Sequence, residues 1–104
     1  MKTFAFRMKL YPGQEAEYKR RHDKIWPELK KLLLDAGIKE YHIFLDKETY
    51  TLFAFQKISG ENNSQDLGKH PVVQKWWAHM ADIMETNPDN SPVSIALEEV
   101  FCLE

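Results

Sequence analysis

Tyr18 and His22 stand four residues apart, the spacing that sets two side chains on one helix face, one turn from each other. Imidazole has the side-chain pKa nearest neutrality, so it can give or take a proton there. A phenol beside it adds a hydrogen-bonding group and a much weaker acid. Tyr41 offers a second phenol at the head of a strand-like run. Trp76 and Trp77 are consecutive. On a helix their side chains diverge by about 100°, so one narrow core stripe cannot hold both. One can pack while the other faces a cavity. Sugars present C–H faces that stack on indole rings, so such a pair suits a carbohydrate pocket as well as it suits a bridge between core and dimer seam. For Tyr18, His22 and Tyr41 the residue types alone favour ordinary packing at a core edge.

Other chemistries find less support. His42, His70 and His79 have no HxxxH spacing with each other or with His22, and no carboxylate cluster accompanies them, so no metal site is expected. There is no GxGxxG, no Walker loop and no GxSxG. Cys102, the single cysteine, can form no intrachain disulfide and reads as a small buried hydrophobe. A net charge of −2 argues against a nucleic-acid footprint. The run Lys19-Arg20-Arg21, followed by Asp23, reads as a solvated helix face. Met1–Arg7 holds no unbroken apolar stretch like that of a signal peptide, and no segment reaches the length of a membrane span. The expectation is a cytoplasmic protein without membrane or nucleic-acid partners.

The elements that would position these residues follow from periodicity. A length of 104 residues suits one domain, 1–104. Residues 3–11 alternate, with Phe4, Phe6, Met8 and Leu10 on one side, and predict a strand ended by Pro12-Gly13. Residues 14–36 predict a helix from apolar steps of three and four. Pro27 cannot donate to Asp23 and pushes Trp26 out of the α region, so a kink or restart falls at Trp26-Pro27. Gly37 suits the helix end. Residues 40–46 and 50–58 predict an antiparallel hairpin. Residues 59–69 are polar and turn-rich, with a short helix as an option. Pro71 opens a helix expected to run to about Glu85, and Asn87–Pro92 reads as a loop. Residues 94–103 alternate again and predict a last strand. The order βαββαβ implies an α+β, ferredoxin-like sandwich with an antiparallel sheet and helices on one face. The hairpin strands are apolar on both sides, with Phe44 opposing Ile43 and Phe53 opposing Leu52, so the helix-free face calls for a cover. A second copy would supply it, and a homodimer is expected.

Four stretches together resemble the L-rhamnose mutarotase family: YKRRHDKIWPEL from Tyr18, YHIFLD from Tyr41, the WW pair within Gln74–Met84, and NPDNSPVS from Asn87 running into Glu99-Val100-Phe101. The resemblance extends from the first strand to the C-terminus, with no match over roughly 59–70. It implies a dimeric α+β barrel of ferredoxin-like subunits and an isomerase that interconverts the α and β anomers of L-rhamnose without a cofactor. By position, it implies His22 as the catalytic proton donor and Tyr18, Tyr41, Trp76 and Trp77 as sugar contacts. Mutarotation opens the hemiacetal, turns the aldehyde about C1–C2 and recloses it on the other face. On this reading His22 protonates the ring oxygen, and a tyrosine hydroxyl or a water relays the second proton. Arg20 and Arg21 would lower the His22 pKa if close, and Asp23 would raise it. Two alternatives keep the same fold: a cofactor-free monooxygenase, identified by oxygen uptake, and a non-catalytic sugar-binding module, identified by binding without anomer exchange.

Overall fold

The computed structural model describes residues 1–103. Strand β1 (Lys2–Lys9) leads to helices α1 (Glu15–Asp23) and α2 (Pro27–Asp35). Strands β2 (Ile38–Asp46) and β3 (Thr51–Ile58) form the hairpin, a single 3₁₀ turn spans Ser64–Leu67, helix α3 covers Pro71–Met80, and β4 is Ile95–Ala96. The sheet order is β2-β3-β1-β4, antiparallel throughout. That is the expected split βαβ arrangement.

Register makes one face of the sheet the core. Phe6 and Ile43 flank Ala54, and Met8 and Leu45 flank Leu52. These side chains, period two along each strand, meet Leu29 of α2 and Val73 and Met80 of α3. The break between α1 and α2 falls where Pro27 requires it. Trp26 is extended at φ −61°, ψ 132°, and its carbonyl accepts from the Lys30 N–H to begin α2. Gly37 takes φ +98°, which only glycine adopts without strain, and a Cβ there would stand 2.8 Å from Ser59 Oγ.

Two expectations need correction. Helix α3 stops at Met80 rather than near Glu85. Ile83 and Met84 are still buried, but in a turn that pairs with the end of β1: Tyr11 N–H donates to the Ile83 carbonyl and Leu10 bridges Met84. Those main-chain bonds compete with continuing the helix. The last strand, expected over 94–103, pairs only at Ile95–Ala96, with the Leu97 N–H adding a bond to Ala5. Beyond it Val100, Phe101 and Leu103 are exposed, as is Cys102, which was expected to be buried. Alternation alone does not make a strand when no layer lies beneath it in the single chain.

Candidate active site

Between the helices and the core face of the sheet lies a cavity of about 850 Å³. Tyr18, His22, Tyr41, Trp76 and Trp77, the five residues singled out by type and spacing, all line it. They arrive on three supports. Helix α1 carries Tyr18 and His22, whose rings stack at 4.3 Å with 25° between planes. Strand β2 turns Tyr41 to the helix side. Helix α3 brings Trp76, buried, edge-on to His22 at 5.3 Å and to Trp26 at 5.1 Å. Trp77, half-buried, lies over Gly68, where a Cβ would stand 2.7 Å from the indole. The two indoles thus divide as their divergence requires: one packs into the core while bordering the cavity, and the other rests against the polar 59–70 segment.

The imidazole of His22 has a fixed orientation. Its Nδ1 lies 3.0 Å from the carbonyl oxygen of Tyr18. A carbonyl can only accept, so Nδ1 carries the hydrogen and Nε2 is left free. Burial pulls the imidazole pKa below 6.5, and the Tyr18 carbonyl and the charge of Asp23 offset this only in part. At neutral pH Nε2 therefore bears a lone pair. Burial pushes the Tyr18 phenol well above 10, with Tyr41 adding to the shift. The Tyr41 phenol is raised by burial as well, partly offset by the polar side chains of Ser64 and Gln56. Both phenols stay protonated where the imidazole is neutral.

The rest of the setting was not apparent from the sequence. Arg21 is no solvated helix-face residue: its side chain is 10% exposed. Its guanidinium spans Asp82 at 2.8 and 3.2 Å, donates to the last-turn carbonyl of His79, and bonds Glu17 at 2.7 Å. It fastens α1, and with it His22, to the C-terminal end of α3. Glu17, held by Arg20 and Arg21, has its carboxyl lowered to about 2. Below Tyr41 sits Gln56, fully buried, its carboxamide paired with Ser64. Its signal was present as the one polar residue in the inward series Leu52-Ala54-Gln56-Ile58. Ser64 and Gln65 line the cavity from the 3₁₀ turn. Asn63 and Asp66 cap that turn reciprocally, a pattern the sequence also carries. The NPDNSPVS loop closes on itself: Asn87 donates to Ser91 Oγ at 3.0 Å, and Asp89 accepts from the Ser91 N–H at 3.0 Å. This closure presents Pro92 to the cavity wall. Among the described residues no group of three or more His, Cys, Asp or Glu could hold a metal ion.

An imidazole with one free nitrogen, two protonated phenols and indole faces around a single cavity can move protons on a small polyol with apolar faces. The fold is a small α+β sandwich with a four-stranded antiparallel sheet, and the residue types gathered in its cavity are those that acid–base chemistry on a sugar would need. The L-rhamnose mutarotase family matches residues 3–103. A curated L-rhamnose mutarotase of Formosa agariphila is 64% identical over the full length of both chains, and one of Bacteroides thetaiotaomicron is likewise 64% identical over both. The crystal structure of an L-rhamnose mutarotase from Formosa agariphila superposes at a TM-score of 0.93 with 60% identity, covering all of both chains. The chain belongs to the L-rhamnose mutarotase family.

Proposed function

We propose that this protein interconverts the α and β anomers of L-rhamnose, with His22 moving the proton and Tyr18, Tyr41, Trp76 and Trp77 holding the sugar. The observation that carries the chemistry is the bond from His22 Nδ1 to the Tyr18 carbonyl, which leaves Nε2 free on a residue that lines the cavity. Neutral Nε2 takes the proton of the anomeric hydroxyl while a phenol donates to the ring oxygen. The C1–O5 bond breaks, giving an aldehyde and a C5 hydroxyl. After rotation about C1–C2 the imidazolium returns its proton to the carbonyl oxygen, and the phenolate recovers its own from the C5 hydroxyl as that oxygen attacks the other face. His22 is thus the acceptor on opening and the proton donor on closure. This differs from the expectation that it protonates the ring oxygen, because burial favours the neutral imidazole. Every proton is accounted for among these groups, and assistance of this kind contributes about 10²–10⁴-fold. The indoles support the sugar through its C–H faces.

The chain would act as one mutarotase domain, and two copies would pair through the helix-free face of the sheet. There Phe44 is 64% exposed, Phe53 39% and Ile95 50%, an apolar patch in want of cover. This face is opposite the cavity, so pairing leaves the site open. A free, exposed Cys102 suits the reducing cytoplasm. Polarimetry tests the activity. Freshly dissolved crystalline L-rhamnose should reach its equilibrium rotation faster with catalytic protein than without. An unchanged rate with folded protein, or oxygen uptake in its place, would reject the assignment.

A further inference from the structure

Ser64 and Gln65 line the cavity from the 3₁₀ turn, and the proton transfers above use neither. The turn is fixed from two sides. Gln56, on the core face of the sheet and 0% exposed, accepts from the Ser64 N–H at 3.2 Å through Oε1 and donates to Ser64 Oγ through Nε2. A buried carboxamide costs stability unless its hydrogen bonds are met, so this pairing ties the turn to β3. On the outer side Asn63 and Asp66 cap the turn reciprocally, and the Gln65 N–H donates to Asn63 Oδ1 at 2.8 Å. Gln65 Nε2 donates to Ser64 Oγ at 3.2 Å. Two amides therefore aim hydrogens at one hydroxyl oxygen. A hydroxyl has two acceptor sites and one proton, so neither amide takes the Ser64 proton. Among the described residues no hydrogen bond uses that proton, and none is donated to Gln65 Oε1. One donor and one acceptor thus stand unused on adjacent residues of the cavity wall.

We propose that Ser64 and Gln65 are a specificity pair for one ring hydroxyl of the sugar, at C2, C3 or C4: Ser64 donates its proton to that oxygen, and Gln65 Oε1 accepts the proton the hydroxyl carries. Gln56 is the positioning residue that holds Ser64 for it. The inference rests on the mutarotase reading. There His22 and one phenol serve the anomeric hydroxyl and the ring oxygen, which leaves three hydroxyls and one further phenol. Each hydroxyl gives up water on entering the cavity and needs a partner in its place. A hydroxyl both donates and accepts, and the pair offers the complement of each. Trp77 lies against Gly68, the residue that ends the turn, so the pair adjoins an indole able to take a C–H face of the same sugar. A sugar without the matched hydroxyl leaves both side chains unpaired when bound, and the site selects against it.

The experiment compares wild-type protein with Gln65→Met, measuring Kd by titration calorimetry and anomer exchange by NMR, on L-rhamnose and its 2-, 3- and 4-deoxy analogues. Gln65→Met is expected to raise Kd for L-rhamnose about 10-fold with kcat changed less than about 3-fold, the pattern of lost uniform binding. One deoxy analogue should bind the wild-type protein about 10-fold more weakly than L-rhamnose does, and in Gln65→Met that deficit should shrink below about 3-fold, since the partner of the missing hydroxyl is already gone. An unchanged Kd in Gln65→Met would overturn the proposal. So would deoxy deficits that are the same in both proteins, or a fall in kcat with Kd retained. Ser64→Ala alone strands a buried carboxamide, so Ser64 is tested in Gln56→Met/Ser64→Ala, which replaces both polar partners with apolar groups of similar size. That variant should show the same loss of affinity and of discrimination, and wild-type affinity in it would overturn the assignment of the donor. The two readouts separate the failures. Sugar binding that responds to Gln65 without any exchange rejects the mutarotase reading alone, exchange with a Kd indifferent to Gln65 rejects the specificity pair alone, and neither binding nor exchange rejects both.

Discussion

His22 is neutral in the resting site because burial outweighs the Tyr18 carbonyl and the Asp23 charge. The acid limb of kcat/KM should therefore fall with a slope of one and a midpoint below 6.5, measured as anomer exchange across pH 4–8. A midpoint above 6.5 would contradict a base that desolvation keeps neutral. The same shift acts on stability. Unfolded His22 binds a proton at about 6.5 and the folded form only at lower pH, so the unfolded state holds more protons between the two values. Stability contributed at this site is complete above 6.5 and declines as pH falls below it, which urea unfolding at a series of pH values would register. Gly68 is a second residue-scale test. Its missing Cβ leaves room for the Trp77 ring, and Gly68→Ala should move that ring and raise KM by about 3–10-fold, or about 1 kcal/mol of sugar binding. An unaltered KM would mean that Trp77 does not support the sugar.

At the scale of elements, the site depends on α1 and α3 keeping their relative placement. Arg21 does this with hydrogen bonds to Asp82, the His79 carbonyl and Glu17. Asp82 is itself 67% exposed, so water screens part of that attraction. Arg21→Ala should cost about 1–2 kcal/mol in chemical denaturation and should also lower kcat, because His22 is the next residue. Arg21→Ala with full stability would remove the clamp from this account. These elements were legible to very different degrees. The helix restart at Pro27 follows from proline's missing N–H, and the strand faces follow from a period of two. The Tyr18–His22 stack follows from spacing within one helix. Arg21, by contrast, looked like surface charge, since its partner Asp82 is 61 residues away. Ser64 was unreadable for another reason: a 3₁₀ turn held by side-chain caps has no periodicity, although Gln56 interrupting an inward apolar series marked where such a partner was needed. The early end of α3 and the shortened β4 were both set by neighbours that periodicity cannot register.

For the whole molecule, a layer of helices covers one face of a four-stranded sheet and leaves Phe44, Phe53 and Ile95 open on the other. Phe44 and Phe53 are cross-strand partners, so a charge at either disrupts one continuous patch. The proposed pairing of two copies predicts that Phe44→Glu or Phe53→Glu weakens association at least about 10-fold in sedimentation velocity, because a buried unpaired carboxylate is costly. Wild-type protein sedimenting as a monomer at micromolar concentration would contradict that assembly. The βαββαβ order, and with it a helix-free face, was legible in the sequence. The fate of residues 98–103 was not, since their apolar side chains find no layer within one chain.

The most direct measurement is saturation-transfer proton NMR on L-rhamnose at anomeric equilibrium, irradiating the α anomeric proton and following the β signal. Catalytic amounts of wild-type protein should enhance the transfer, and His22→Ala, with an unchanged far-UV spectrum, should lose about 10²–10⁴-fold of that enhancement. Full exchange by a folded His22→Ala protein would contradict the assignment of proton transfer to Nε2 of His22.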